Sequence, residues 1–324
     1  MPATDFATNL LSPPILLFLL GLAATLVRSD LEIPPSAAKT LSLFLLFAIG
    51  FKGGVSLADS GLGFAVVASL LAAVAASILV PLWSFFALRK RLGVIDAAAL
   101  AATYGSVSAV TFITATSFLT QHGIAYSGHM VAAMALMESP AIIIGIALAR
   151  RSCQNANTPR LDWKHLGRDA FLNGSVFLLL GSLLIGFACG PQRAAPLKPF
   201  IDTLFPGLLA LFLLDMGIVA ARRLAELRRI GLPAITFAFG APLINASIGL
   251  AFAALLRLPH GDALLLITLC ASASYIAVPA ALRIALPAAN PGIYLTLSLA
   301  VTFPFNIILG LPLYDLAVTT LLAR

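Results

Sequence analysis

Charge is what this sequence has least of. Acidic and basic side chains make up 10% of its 324 residues and hydrophobic ones 60%, whereas about a quarter of a soluble globular domain is charged. That balance excludes an ordinary soluble enzyme or binding domain. Cysteine is scarce too. Cys153, Cys189 and Cys270 are the only three, too scattered for a metal-ligand spacing or a disulfide framework. Cys270 falls inside an apolar run and reads as a small packing residue. No phosphate-binding glycine loop, catalytic triad or cluster of metal-ligating side chains is present, so neither an enzyme nor a cofactor is expected. A secretory leader is missing as well, because the run from Pro14 to Val27 follows the acidic Asp5 with no basic segment before it and leads straight into further apolar runs. It reads as a first membrane span. The net charge of +7 sits in short loops without interleaved aromatics, which argues against a nucleic-acid partner.

What is present is a series of apolar runs. Crossing about 30 Å of hydrocarbon takes about twenty residues. Ten runs qualify, near 12–28, 36–54, 62–87, 95–119, 129–149, 170–189, 198–220, 231–256, 262–284 and 291–321, the last with either an earlier end or a break around Pro312. Pro34-Pro35, Gly53-Gly54, Gly93, Gly123, Gly231 and Pro259 supply the turns. Fifteen of the twenty lysines and arginines fall in the odd-numbered connections and five (Lys52, Arg193, Lys198, Arg257 and Arg324) on the other side. Because basic residues accumulate in cytoplasmic loops, this bias puts the odd connections inside and both termini outside the cell. The expected protein is a multipass plasma-membrane protein in contact with lipid.

Two spans are interrupted in the same way. Thr103-Tyr104-Gly105-Ser106-Val107-Ser108 lies in span four and Cys270-Ala271-Ser272-Ala273-Ser274-Tyr275 in span nine. Both place small hydroxyl residues, with glycine or proline nearby, inside apolar helices. The runs Leu43–Gly50 and Leu211–Gly217 also match, and the two offsets, 168 and 166, are nearly equal. The fold expected is therefore an all-α integral membrane protein of ten transmembrane helices. Residues 12–149 form a first five-helix repeat, 150–169 a cytoplasmic connection and 170–321 an inverted second repeat, combining into one transporter domain with helices four and nine discontinuous. An odd number of spans per repeat forces the inversion. Broken helices at matching places in inverted repeats mark the binding site of a secondary transporter, and half-helix N-termini that face one point suit a small anion.

Several side chains could serve that site. Ser106 and Ser108, and likewise Ser272 and Ser274, are two residues apart, so only an unwound segment lets each pair face one ligand. The alternative is that they are small residues at close helix contacts. Thr111 and Thr114 are weaker candidates, since membrane threonines often bond to their own helix. Glu138 is the most unusual residue of span five, because a carboxylate inside a bilayer is retained for a cation, a proton or a hydrogen-bond network. Asp215 poses the same question in span seven. Asn245 and Asn306 read as helix–helix partners or ligand contacts. Asp96 and Asn290 read as helix caps, Lys52 as reaching the interface, and Arg283 as a topology residue.

The two interrupted motifs, Glu138-Ser139-Pro140-Ala141 and the stretch Ala280–Pro291 resemble the cyanobacterial-type sodium-dependent bicarbonate transporter family over most of the ten-helix core. The resemblance implies sodium-coupled symport of bicarbonate or a related small anion by alternating access. It places the anion at Gly105, Ser106, Ser108, Ser272 and Ser274, with Thr111, Glu138, Ser139 and Ser274 as candidate sodium ligands. It further implies a homotrimer and, in some members, a soluble cytoplasmic regulator. The alternatives are a membrane anion sensor that does not transport, and a carrier of another organic or inorganic anion.

Overall fold

The computed structural model describes residues 9–61, 63–152 and 174–322. It is helical, and its helices are apolar around most of their circumference, as expected where lipid rather than water faces the outside and every backbone group must be satisfied within the segment. In chain order these are α1 (Pro13–Leu26), α2 (Pro35–Ser60), α3 (Phe64–Leu92), α4a (Val94–Gly105), α4b (Ala109–Gln121), α5 (His129–Ser152), α6 (Gly174–Ala194), α7 (Phe205–Leu224), α8 (Leu232–Leu256), α9a (His260–Ala271), α9b (Ala277–Ala285) and α10 (Pro291–Leu321).

Among the described residues, eight helices are long and apolar enough to cross a membrane, counting α4a and α4b as one, while α1 and α9a are shorter apolar helices. The ten apolar runs read from the sequence correspond to these eight long helices and two shorter ones. The fourteen residues of α1 fall short of a full crossing, and the ninth run is divided by its own break. The irregularity expected at Pro312 also lies elsewhere. Pro312 stands at the start of a regular helical stretch, and α10 instead widens into π-helical turns at Leu297–Thr302 and Asn306–Gly310. Most of the 150–169 connection lies outside the described residues.

Two packing units emerge, and neither coincides with a half of the sequence. α1 packs along α7, and α2 along α6. Glycine makes both seams close. A Cβ on Gly21 would strike the Leu214 carbonyl of α7, and one on Gly217 would strike the Phe18 carbonyl of α1. Across the other seam Gly54 faces the Leu183 carbonyl and Gly186 the Phe51 carbonyl. Small residues that let backbones touch are how helices associate where lipid removes the hydrophobic drive between them. α3, α4, α5, α8, α9 and α10 form the second unit, with aromatic contacts from Tyr104 and Trp83 to Phe237 (centroids 4.9 and 5.5 Å apart) in its centre.

Candidate functional site

The two breaks meet inside the six-helix unit. α4a stops at Gly105, Ser106 and Ser108 are extended, and α4b restarts at Ala109. α9a stops at Ala271, Ser272 is extended, and α9b restarts at Ala277. Breaking a helix frees amides and carbonyls that hydrocarbon cannot satisfy. Here each break supplies partners for the other. The Ser274 amide donates to the Thr103 carbonyl at 2.8 Å, and the Ser108 amide donates to Ser272 Oγ at 2.9 Å. Ser272 in turn donates to the Leu269 carbonyl at 2.9 Å. Ser108 Oγ caps α4b by accepting from the Thr111 amide at 3.2 Å, and Ser274 Oγ accepts from the Val278 amide at 3.4 Å.

α10 braces both breaks from behind through its wide turns. Asn306 Nδ2 donates to the Ala271 carbonyl at 2.9 Å, and its Oδ1 accepts from the Tyr314 hydroxyl at 2.7 Å. Tyr104 and Thr302 share a hydroxyl–hydroxyl bond of 2.7 Å, and Thr302 donates onward to the Ala238 carbonyl. Asn306 is thus spent on holding helices together. Asn245, fully buried, accepts from Trp83 Nε1 at 2.9 Å and so joins α8 to α3, while its Nδ2 has no partner among the described residues.

In front of the breaks lies a narrow cleft with a volume of about 40 Å³. One wall carries Ser108, Ala109 and Val110 from the start of α4b, Ser274 to Ala277 from the start of α9b, and Glu138 from α5. The opposite wall is Ser42, Leu45 and Leu46 of α2, Ser175, Val176 and Leu179 of α6, and Phe212 of α7. The cleft therefore separates the two packing units, with both half-helix N-termini on one side. Among the described residues Glu138 is the only carboxylate that lines it, and no lysine, arginine or histidine does. The Glu138 side chain has no hydrogen-bonding or charged partner among the described residues.

The remaining residues singled out in the sequence divide clearly. Ser106, Thr111 and Ser139 are buried, and their hydroxyls have no hydrogen-bond partner. Gly105 packs where any Cβ would collide with Pro81. Thr114 bonds back to the Val110 carbonyl at 2.9 Å, the local satisfaction usual for a helical threonine. Asp215 is buried in α7 but is not a lining residue of the cleft. Of the four serines, Ser108 and Ser274 line the cleft, whereas Ser106 and Ser272 stand behind them. At the periphery, Lys52 pairs with Asp202 at 2.8 Å, Asp96 accepts from the Asn290 amide at 2.8 Å and Asn290 caps α10 through the Gly292 amide.

The sequence reading did not single out Tyr104, Thr302 or Tyr275 as site residues. The available signal was the same for all three: a hydroxyl inside an apolar span.

The model of the Na+-dependent bicarbonate transporter superfamily matches residues 13–319. The chain belongs to that superfamily. The match runs from the first residue of α1 almost to the end of α10, so it takes in both breaks, Glu138 and both walls of the cleft. No individual curated protein matches the chain at a significant level. Membership in the bicarbonate transporter superfamily makes the protein a sodium-dependent membrane transporter and not an enzyme. Among the described residues no group of three or more His, Cys, Asp or Glu could hold a metal ion.

Proposed function

We propose that this member carries bicarbonate, or another small singly charged anion, together with sodium in the cleft between the two packing units. The observation that carries the reading is the Glu138 carboxylate, unpaired in a cleft onto which two half-helix N-termini open. An isolated carboxylate at membrane depth is costly, and a hard monovalent cation among carboxylate and hydroxyl oxygens removes that cost. Sodium beside Glu138 takes Ser274 as a further ligand, with Thr111 and Ser139 close in sequence to the lining and their hydroxyls free. The anion lies against the starts of α4b and α9b, where partial positive charge accumulates, near Ser108 and Ser274. Gly105, Ser106 and Ser272 support it from behind. Binding the two ions together cancels charge, so each raises the affinity for the other by the same factor.

In this reading the two five-helix repeats are inverted and each contributes to both packing units, since α1 and α2 pair with α7 and α6. Alternating access then follows as movement of the six-helix unit past the four-helix wall. The cleft is lined by the first turns of α6 and the first half of α2, while Gly53 near the other end of α2 meets Val131 and Gly128 of the opposite unit. With both termini extracytoplasmic, that geometry is inward-facing. The homotrimer and the soluble regulator belong to the same proposal, with cross-linking of the purified protein as the check on the first.

Proteoliposomes provide the test. An imposed inward sodium gradient drives concentrative uptake of radiolabelled bicarbonate, and an impermeant cation in place of sodium abolishes it. Bicarbonate binding that is identical with and without sodium contradicts the coupling, and binding without accumulation contradicts transport.

A further inference from the structure

Tyr275 stands near the end of the α9 break, two residues before α9b, and is 8% exposed while lining the cleft. Its ring is held edge-on against Phe303 of α10, centroids 5.6 Å apart. Its hydroxyl faces Ser108 across the breaks, yet makes no hydrogen bond of good geometry. Native structures rarely leave a buried hydroxyl unpaired, because the lost hydration is not recovered. Tyr104, equally buried, shows the ordinary solution through its 2.7 Å bond to Thr302. The phenol is fixed in direction by its ring, and its buried oxygen lies beside Ser108, the N-cap of α4b.

We propose that Tyr275 is a specificity-determining residue, its hydroxyl donating a hydrogen bond to an acceptor oxygen of a singly charged oxyanion seated between the breaks. This rests on the reading of the cleft given above and goes further by naming what selects the anion. Among the described residues no basic side chain lines the cleft, and the donors found there are neutral: backbone amides, the serine hydroxyls and this phenol. A phenol is the most acidic of the neutral side-chain hydroxyls and so the strongest donor among them. One sodium ion beside the Glu138 carboxylate leaves no net positive charge to offset a doubly charged anion, which sets the preference for one charge over two.

The experiment compares the purified full-length protein with Tyr275→Phe in proteoliposomes. The change deletes one oxygen and keeps the ring against Phe303. KM for bicarbonate is expected to rise about tenfold or more, the loss of one hydrogen bond to a charged group, with Vmax within about twofold of the original. In detergent without anion, the melting temperature of the variant is expected to equal or exceed that of the unaltered protein, because an unsatisfied buried group has been removed. A merely structural role gives the reverse pattern, a lower melting temperature and Vmax with KM unchanged. Direct bicarbonate binding in detergent with sodium gives the same comparison independently of membrane insertion. Sulfate competes with neither protein. Saturable bicarbonate uptake with equal KM in both proteins overturns the role of Tyr275 alone. Absence of saturable anion uptake by the unaltered protein overturns the reading of the cleft and the role of Tyr275 together. Competition by sulfate overturns the single-charge preference.

Discussion

The two helix breaks are alike in sequence and unlike in use. Each contains two serines spaced by one small or branched residue, yet the hydroxyls are occupied differently. At the α9 break Ser272 bonds twice, to Leu269 and to the Ser108 amide, and Asn306 secures the carbonyl before it. At the α4 break the Ser106 hydroxyl has no partner among the described residues, and packing adds to the positioning, with Gly105 pressed against Pro81 of α3. Hydrogen bonds tie both breaks together, but only the α4 break leaves a serine hydroxyl unused and adds a tight glycine contact. The paired residues that line the cleft, Ser108 and Ser274, both use their hydroxyls as local helix caps, which keeps the two N-termini open toward a ligand.

Gly105→Ala should produce the largest loss. A Cβ there meets Pro81 and lies 3.1 Å from the Ala141 Cβ, and overpacking of that kind costs about 1–3 kcal/mol. Uptake should fall with the yield of folded protein in a size-exclusion assay. The corresponding position of the other break is already Ala271, so Ala271→Gly should be milder. Equal damage at the two positions would break the distinction.

Ser272→Ala is expected next in size. It removes the acceptor of the Ser108 amide and leaves that buried donor unpaired, a loss of about 1–3 kcal/mol readable as a lower melting temperature. Ser106→Ala removes a hydroxyl that has no partner, so its melting temperature should stay level or rise. A shared drop in both variants would mean that the breaks are braced alike. The smallest effect belongs to Thr114→Val, where the bond lost is a local one within α4b, and stability should change by less than about 1 kcal/mol.

Much of this was legible in the sequence. Apolar run length located the helices, and small hydroxyl residues near glycine or proline located both breaks to within a few residues, because in lipid a break needs its own polar partners. Glu138 was legible because carboxylates are costly at that depth. The division of labour among the serines was not legible. Whether a hydroxyl is free depends on which carbonyl the other break brings near, as Leu269 is brought to Ser272, and spacing along one chain does not carry that information. The pairing of α1 with α7 and α2 with α6 was hidden for a similar reason. It depends on Gly21, Gly217, Gly54 and Gly186 meeting carbonyls far away in sequence, and each glycine alone looks like any other in an apolar helix. Asn306 was recognised as a polar residue with two uses, and its partners in α9a and α10 show the bracing one.

Glu138→Gln in proteoliposomes tests the central claim most directly, since it removes the charge at the cleft while retaining polar reach. The measurement is bicarbonate uptake as a function of external sodium, alongside the melting temperature with and without sodium. The account predicts that half-saturating sodium rises about tenfold or more, as when one charge-assisted contact is lost, and that stabilisation by sodium disappears while the sodium-free melting temperature holds. Unchanged sodium dependence in a correctly folded Glu138→Gln protein would contradict it.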